Sequence, residues 1–431
     1  MHKNHFSAYS HSADSSFNYR WKQLGRQIIR TSAVMQIRCL LIPLLLASAI
    51  SCTTRRGLKI VAVNKDGTFP DRIQKSLESA LKWFENAILI EDPKSRLTFK
   101  KLEQVLGYRP TDNVGKVTIQ TPNKLFSLDI KSPEFQELFD ASDMLIFIRE
   151  KQCAPSSRPS ATGSHMKNSY ETFSKRGMMQ WCYHEEDPEF PYFDLIRHEI
   201  LHILGFGTEN LDTPEMENYQ WKNEDNTVSQ ARRYFFKTNG STTALDEVKK
   251  HFGCDNLKGV ESDIDAHHLN EYIFHNELMT PFIQNGKNYL SWISVALIEN
   301  IYKGQVYHVD KKFVAAEADS YTFGKGFGCS WLQKSCHEFL EERTDSPRPA
   351  PFCPKEDNNS PTIKCFKTGP KTAHLLNCHE KMGVSVDNGI PDPTNSKYQN
   401  PFTRFCPIYT DYERMLSKYP LSDCNKSEYP E

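Results

Sequence analysis

Net charge is nearly absent from this chain of 431 residues: 53 Lys and Arg stand against 54 Asp and Glu, a formal −1 with His neutral. The two signs are interspersed, so neither a basic field nor a basic block exists to draw nucleic acid. Nucleic acid is excluded as a partner on that ground. No C-x-x-C pair occurs among the 12 cysteines, which leaves a cysteine-based zinc site without support. No G-x-S-x-G elbow occurs, so the usual mark of a serine hydrolase is missing, and the sequence contains no internal repeat. No apolar tail closes the chain, so no lipid anchor is expected at that end.

The informative run is Phe193-Asp-Leu-Ile-Arg-His-Glu-Ile-Leu-His-Ile-Leu-Gly-Phe206. Two histidines four apart on a helix share one face, so His198 and His202 can grip one Zn²⁺. Glu199 between them stands where it can reach a metal-bound water. Phe193, Ile196, Ile200 and Ile203 recur at spacings of three and four and predict an apolar helix face opposite the metal-facing one. Gly205 predicts the helix end. A catalytic zinc keeps three protein ligands and one open position. The short-spaced pattern H-E-x-x-H-x-x-G-x-x-H fails here at its last element, since position 208 is Thr and no histidine follows closely. The third ligand must come from farther along, with His251, His267, His268 and His275 as the candidates.

The N-terminus predicts export. Arg38 precedes Cys39-Leu-Leu-Ile-Pro-Leu-Leu-Leu-Ala-Ser-Ala-Ile50, and small residues follow before Arg55-Arg56. That is a basic region, a short apolar stretch and a cleavage zone, the order of a secretory signal peptide over 35–52. The stretch is too short for a comfortable membrane span, and Pro43 interrupts it. Residues 1–34 then read as an upstream extension, disordered or untranslated, with translation starting at Met35. The alternative is a signal anchor at the cell surface. Ten cysteines run from Cys153 to Cys424, an even number that in an exported chain predicts a disulfide framework. Sequons at Asn239, Asn358 and Asn425 suit a secreted glycoprotein, although Pro361 follows the second. Arg55-Arg56 offers a dibasic processing site.

Along the chain, 58–63 predicts a strand, 71–89 an amphipathic helix, 116–120 and 144–148 further strands. The Ser-, Pro- and Gly-rich stretch 151–177 predicts a long exposed loop, with 178–183 returning as a strand. Residues 207–230 read as irregular, 243–252 and 290–302 as helices. Beyond about 310, periodicity fades and stability is expected to come from disulfides. The glycine run 323–328 reads as a turn. The fold class is α+β: an N-terminal catalytic subdomain over 57–206, a central subdomain over 207–309 and a cysteine-rich region over 310–431.

The segment Ala266-His-His-Leu-Asn-Glu-Tyr-Ile-Phe-His-Asn-Glu-Leu-Met-Thr-Pro281 resembles the leishmanolysin (invadolysin) family of metzincin metalloproteases. That family carries a long insertion after the helix glycine and then an E-L-M-[TA]-[PG] methionine turn, matched by Glu277-Leu278-Met279-Thr280-Pro281. The resemblance implies a metzincin-like catalytic unit with a mixed sheet and a zinc-binding helix. It also implies His268 as third ligand, Met279 as a hydrophobic base that does not ligate, and zinc as cofactor, one ion per chain. Segments 241–255, 290–301, 327–336, 352–353 and 405–407 resemble further family landmarks, so the likeness runs over about residues 58–424. It favours Cys254 with Cys329 and Cys336 with Cys406, while chain proximity suggests Cys153 with Cys182. Two features depart from the family: the strand at 58 follows the signal too closely for a propeptide, and Cys52 lacks the motif that blocks the zinc.

These readings converge on a secreted zinc metalloendopeptidase, with Glu199 as general base toward a water whose pKa the metal lowers to about 7. An extended substrate would pair along a sheet edge, for which Met178–Cys182 is the expected strand. Expected partners are protein or peptide substrates, extracellular matrix or cell-surface proteins among them. The chain is expected to be a monomer without a stable membrane span. The alternative in a different class is a catalytically silent secreted binding or adhesion protein on the same scaffold.

Overall fold

The computed structural model describes residues 55–343, apart from 65–66, 68, 92–115, 154–158, 166–175, 184–189, 208–214, 223–227, 237–242, 264–265 and 285–286, and the strands at 363–369, 372–378 and 409–411. The expected extension 1–34, signal 35–52, all three sequons and Cys406 lie outside the described residues.

In chain order the N-terminal part is β1 (Arg55–Gly57), β2 (Ile60–Asn64), α1 (Asp71–Ala87), β3 (Ile88–Glu91), β4 (Lys116–Thr121), β5 (Lys124–Asp129), α2 (Pro133–Ala141), β6 (Met144–Gln152), β7 (Ser160–His165), β8 (Arg176–Tyr183) and α3 (Tyr192–Leu204). Six of these strands form one sheet in the order β5-β4-β2-β6-β8-β7. The central β2, β6 and β8 run parallel, and β4, β5 and β7 are antiparallel to their neighbours. A strand covered on both faces reads as a continuous apolar run, and β2 alternates accordingly. Ile60 and Ala62 enter the large core with α1 and α3. Val61 and Val63 enter a smaller core with Phe135 and Phe139 of α2.

Two differences from the sequence reading concern this sheet. The stretch 151–177 is not all loop, because β7 forms within it. Met178–Cys182 is not an edge, because β8 is paired on one side to β6 and on the other to β7. Among the described residues the outermost strand on this side is β7, whose polar composition, Ser-Ala-Thr-Gly-Ser-His, hid it from a hydrophobic pattern. The dibasic pair also lies in regular structure: β1 pairs with β3, and the Arg56 guanidinium binds both oxygens of Asp143 at 2.5 and 2.7 Å.

The rest of the chain comprises β9 (Glu215–Lys222), β10 (Val228–Phe236), α4 (Thr243–Phe252), β11 (Val260–Ser262), α5 (Glu271–Phe274), α6 (Trp292–Asn300), β12 (Tyr307–Val309), α7 (Lys311–Ser320), α8 (Gly328–Gln333), α9 (Cys336–Glu341), β13 (Ile363–Gly369), β14 (Thr372–Cys378) and β15 (Tyr409–Asp411). Part of 207–230 is thus a hairpin, β9 with β10, which β11 extends into a three-stranded sheet. Residues beyond 310 are not held by disulfides alone. Val314, Trp331, Leu332, Phe339 and Leu340 join the same large core as α1 and α3. Their helices of six to ten residues are too short to give a legible period. The architecture is mixed α and β with several sheets, and Cys153–Cys182 and Cys254–Cys329 are disulfides.

Candidate metal centre

The site is built on α3. Every residue of this helix except Phe193 is buried, Asp194, Arg197, His198, Glu199 and His202 included. The helix is therefore packed on all sides, not on one apolar face as its periodicity suggested. Gly205 ends it with φ 111°, a left-handed position that costs glycine little. The turned chain then brings the Phe206 carbonyl back to accept a hydrogen bond from Nδ1 of His202 at 3.0 Å.

His198 and His202 share one face of α3, and their Nε2 atoms are 2.9 Å apart. His268 arrives from the segment after β11, its Nε2 3.1 Å from that of His202. The three potential donor atoms all lie within 4.8 Å of one another. The other histidines weighed in the sequence go elsewhere. His251 donates to the Phe323 carbonyl at 2.7 Å and stacks on Tyr321. His275 leans on Phe323, and His267 is exposed.

The opposite ring nitrogens settle the tautomers. Nδ1 of His198 lies 2.7 Å from the Leu278 carbonyl oxygen, and Nδ1 of His268 lies 2.8 Å from Oδ2 of Asp263. A carbonyl oxygen can only accept, so the proton of His198 and of His202 sits on Nδ1 and the lone pair on Nε2. Burial, and then the charge of His268, pushes His198 down from 6.5 to about 3. Burial also pushes His202 well below its ordinary value, with His198 and His268 adding to it. Both imidazoles are neutral donors at neutral pH.

Glu199 is 4% exposed, and burial lifts its carboxyl from 4.5 to about 8. The backbone N–H of Gly163 on the edge strand β7 donates to its Oε2 at 2.5 Å, which opposes that rise. A Cβ at Gly163 would overlap the carbonyl oxygen of Glu199 itself, so only glycine lets β7 lie this close to α3.

The turn at Met279 links the two histidine-bearing segments. Met279 is fully buried; its carbonyl accepts from Leu269 N, beside His268, at 2.9 Å, while its neighbour Leu278 receives His198. Glu277, fully buried, holds the turn from within. Its carboxyl accepts from Met279 N at 2.6 Å and from the backbone and hydroxyl of Ser291 at 3.0 and 2.8 Å. Burial pushes Glu277 upward, against those hydrogen bonds.

Behind the histidine face, Arg197 is 1% exposed and donates to Asp194 at 2.7 Å and to both oxygens of Glu317 at 2.9 Å. Its guanidinium also lies over Trp83 and Phe193. Asp194 accepts in turn from Asn288, which anchors the segment following the methionine turn.

Away from the histidines, Cys153 bridges the end of β6 to β8, and Cys254 bridges the end of α4 to α8. Cys336 is disulfide-bonded as well; its expected partner Cys406 is outside the described residues. Sequence reasoning missed Asp263, Gly163, Arg197 and Asp194 as parts of this site, and named Glu277 only as the first residue of the methionine turn. Only Gly163 carried a signal, as a lone glycine in a segment that pairs as a strand.

Comparison with known proteins places this geometry in a family. The profile of the leishmanolysin peptidases, peptidase family M8, matches residues 186–426, from just before α3 onward, so the six-stranded sheet precedes the match. A leishmanolysin-like peptidase of Drosophila melanogaster is 25% identical over 210 residues, covering 39% of this chain and 29% of that protein. One from Caenorhabditis elegans is 25% identical over 186 residues, 34% of this chain and 27% of that protein. The chain thus spans less than a third of the length of these relatives. With more than half of its residues inside the family profile, the chain belongs to the leishmanolysin family of metallopeptidases.

Proposed function

We propose that this chain is a zinc-dependent endopeptidase in which His198, His202 and His268 hold one Zn²⁺ and Glu199 moves the proton. The observation that carries the proposal is the convergence of three Nε2 atoms within 4.8 Å, each ring having its Nδ1 engaged elsewhere. The donor set fits the ion. Tetrahedral ligands at 2.0–2.1 Å from zinc stand about 3.3 Å apart, close to two of the three separations, 2.9 and 3.1 Å, while the third, between His198 and His268, lies within 4.8 Å. Neutral imidazoles also suit a catalytic zinc, because they leave it its full charge.

Zn²⁺ bound there supplies Lewis acidity toward a scissile carbonyl and acidifies a water. Glu199 then acts as general base: it takes the proton of the attacking water as the carbon–oxygen bond forms. As the carbon–nitrogen bond breaks, the same carboxyl returns the proton to the leaving amine. Burial of Glu199 suits the second half, since a carboxyl with a raised pKa holds the proton between the steps, while Zn²⁺ bound beside it would favour the carboxylate needed for the first. The Gly163 amide keeps the carboxylate aimed across the site. An extended substrate would add to β7, the outermost described strand on the side adjoining Glu199, by backbone pairing that tolerates many sequences. That edge replaces Met178–Cys182. The mixed sheet, the histidine helix and the turn at Met279 together support a metzincin-like arrangement.

Export by the segment 35–52 is part of the proposal and is supported by the disulfides, which persist in oxidising compartments. No helix among the described residues is long and apolar enough to cross a membrane. The test is cleavage of a peptide library by the purified chain. Chelator-sensitive internal cleavage, untouched by thiol or serine reagents, supports the proposal. A zinc-loaded chain that binds peptides without cutting them supports a silent binding scaffold instead.

A further inference from the structure

The three histidines are not held alike. His198 and His202 stand on α3, and each gives its Nδ1 proton to a backbone carbonyl fixed by the fold. His268 stands on no helix or strand; its segment opens with Ala266 at φ 54°, and its side chain is 25% exposed. Packing alone does not aim this ring. Among the described residues, the side-chain partner at its Nδ1 is a carboxylate, Oδ2 of Asp263, at 2.8 Å. The other oxygen of Asp263 accepts from His267 N at 3.1 Å and from His268 N at 3.3 Å, and Asp263 N donates to the His268 carbonyl at 3.0 Å. Asp263 thus closes a small ring of hydrogen bonds around His268 immediately after β11, the last strand of the sheet inserted between the helix and its third histidine.

We infer that Asp263 is the positioning residue for the third ligand, fixing both the direction of the His268 ring and the tautomer that leaves Nε2 free for the metal. The inference rests on the zinc-site reading above. A carboxylate can only accept, so the ring proton is held on Nδ1 and the lone pair is presented on Nε2. The negative charge also makes the imidazole a better donor, and loss of such an outer partner costs about 10–100-fold in metal affinity. This contribution is required at His268 alone, because the other two rings are aimed by the helix and by fixed carbonyls.

Replacement by asparagine separates this role from a purely structural one. The amide side chain of Asp263→Asn would keep an oxygen for the His267 and His268 amides but would turn an N–H toward Nδ1, driving the ring proton onto Nε2. A role limited to capping those amides predicts that Asp263→Asn behaves like wild type. The tautomer role predicts that it is at least as damaging as Asp263→Ala.

The experiment is zinc competition between the purified full chain and a chromophoric chelator, for wild type, Asp263→Ala, Asp263→Asn and the distant control Asp246→Ala. Thermal unfolding of the metal-free proteins is recorded alongside. Expected are one zinc per wild-type chain, an affinity about 10–100-fold weaker in both Asp263 variants, an unaltered control, and metal-free unfolding close to wild type. Zinc affinities within about twofold of wild type in Asp263→Ala, or restored by Asp263→Asn, overturn the inference while leaving the zinc site standing. A wild-type chain that takes up no zinc overturns the zinc-site reading, and the inference with it.

Discussion

The carbonyl oxygen of Leu278 accepts a hydrogen bond from Nδ1 of His198 at 2.7 Å, across 80 residues of sequence. One contact therefore ties the histidine helix to the methionine turn. The Met279 carbonyl carries the connection on to Leu269 and so to His268. Histidines far apart in the chain are set at a fixed spacing by backbone groups, with Glu277 bracing the turn by three hydrogen bonds.

Glu199→Ala removes the proposed proton carrier without touching a histidine. Peptide cleavage is expected to fall about 10²–10⁴-fold, while zinc content and unfolding temperature stay near wild type. Turnover close to wild type in this variant would remove Glu199 from the chemistry.

Gly163→Ala tests the close approach of the sheet edge. The added methyl meets the Glu199 carbonyl, so β7 must move away from α3 and its amide leaves the carboxylate. Misplacement on the order of 1 Å costs about 10²-fold in rate, and forced packing costs about 1–3 kcal/mol. Steady-state kinetics with urea unfolding checks both. An alanine variant with unchanged kcat/KM would show that the contact does not matter.

Arg197→Ala leaves Asp194 and Glu317 facing each other without their shared cation. Removing one partner of a buried pair costs about 3–5 kcal/mol, visible as a lowered urea midpoint. Glu317→Gln, which keeps Asp194 paired and alters a less buried partner, is expected to cost less.

The buried histidines contribute to the stability of the metal-free protein with a definite sign in pH. Burial lowers His198 to about 3, His202 well below 6.5, and His251 below 6.5. The unfolded chain binds protons on these residues below about 6.5, while the folded chain does not. Their contribution is therefore whole above that value and is lost as pH falls toward 3. Around His251 the charged and titratable neighbours are Lys325 and Tyr321. Glu199 and Glu277, raised by burial, act in the opposite direction over the same range, so the histidine contribution is read as a difference between proteins. A urea midpoint that falls less, or rises more, from pH 7.5 to pH 5 in His251→Gln than in wild type is the expected outcome. Identical pH profiles of the two proteins would contradict it.

What the sequence made legible follows from range. The spacing of His198 and His202 is a property of one helix turn, so it could be read directly, as could the continuous apolar strands Ile60–Asn64 and Met144–Ile148. His268 needed the family resemblance, because no local period connects it to α3. The edge strand β7 escaped because its residues are small and polar, and the stretch 215–222 because only Met216, Tyr219 and Trp221 are apolar there and they do not keep a two-residue period. Arg197 was equally opaque. A charged residue on an apolar helix reads as solvent-facing, and only the fold brings Asp194, Glu317, Trp83 and Phe193 around it.

The most direct test is elemental analysis of the purified chain and of His268→Ala after gel filtration in metal-free buffer. The account predicts one zinc per wild-type chain and its loss from the variant, with both proteins folded. A variant that retains a full equivalent of zinc, or a folded wild type that carries none when offered the metal, would contradict it.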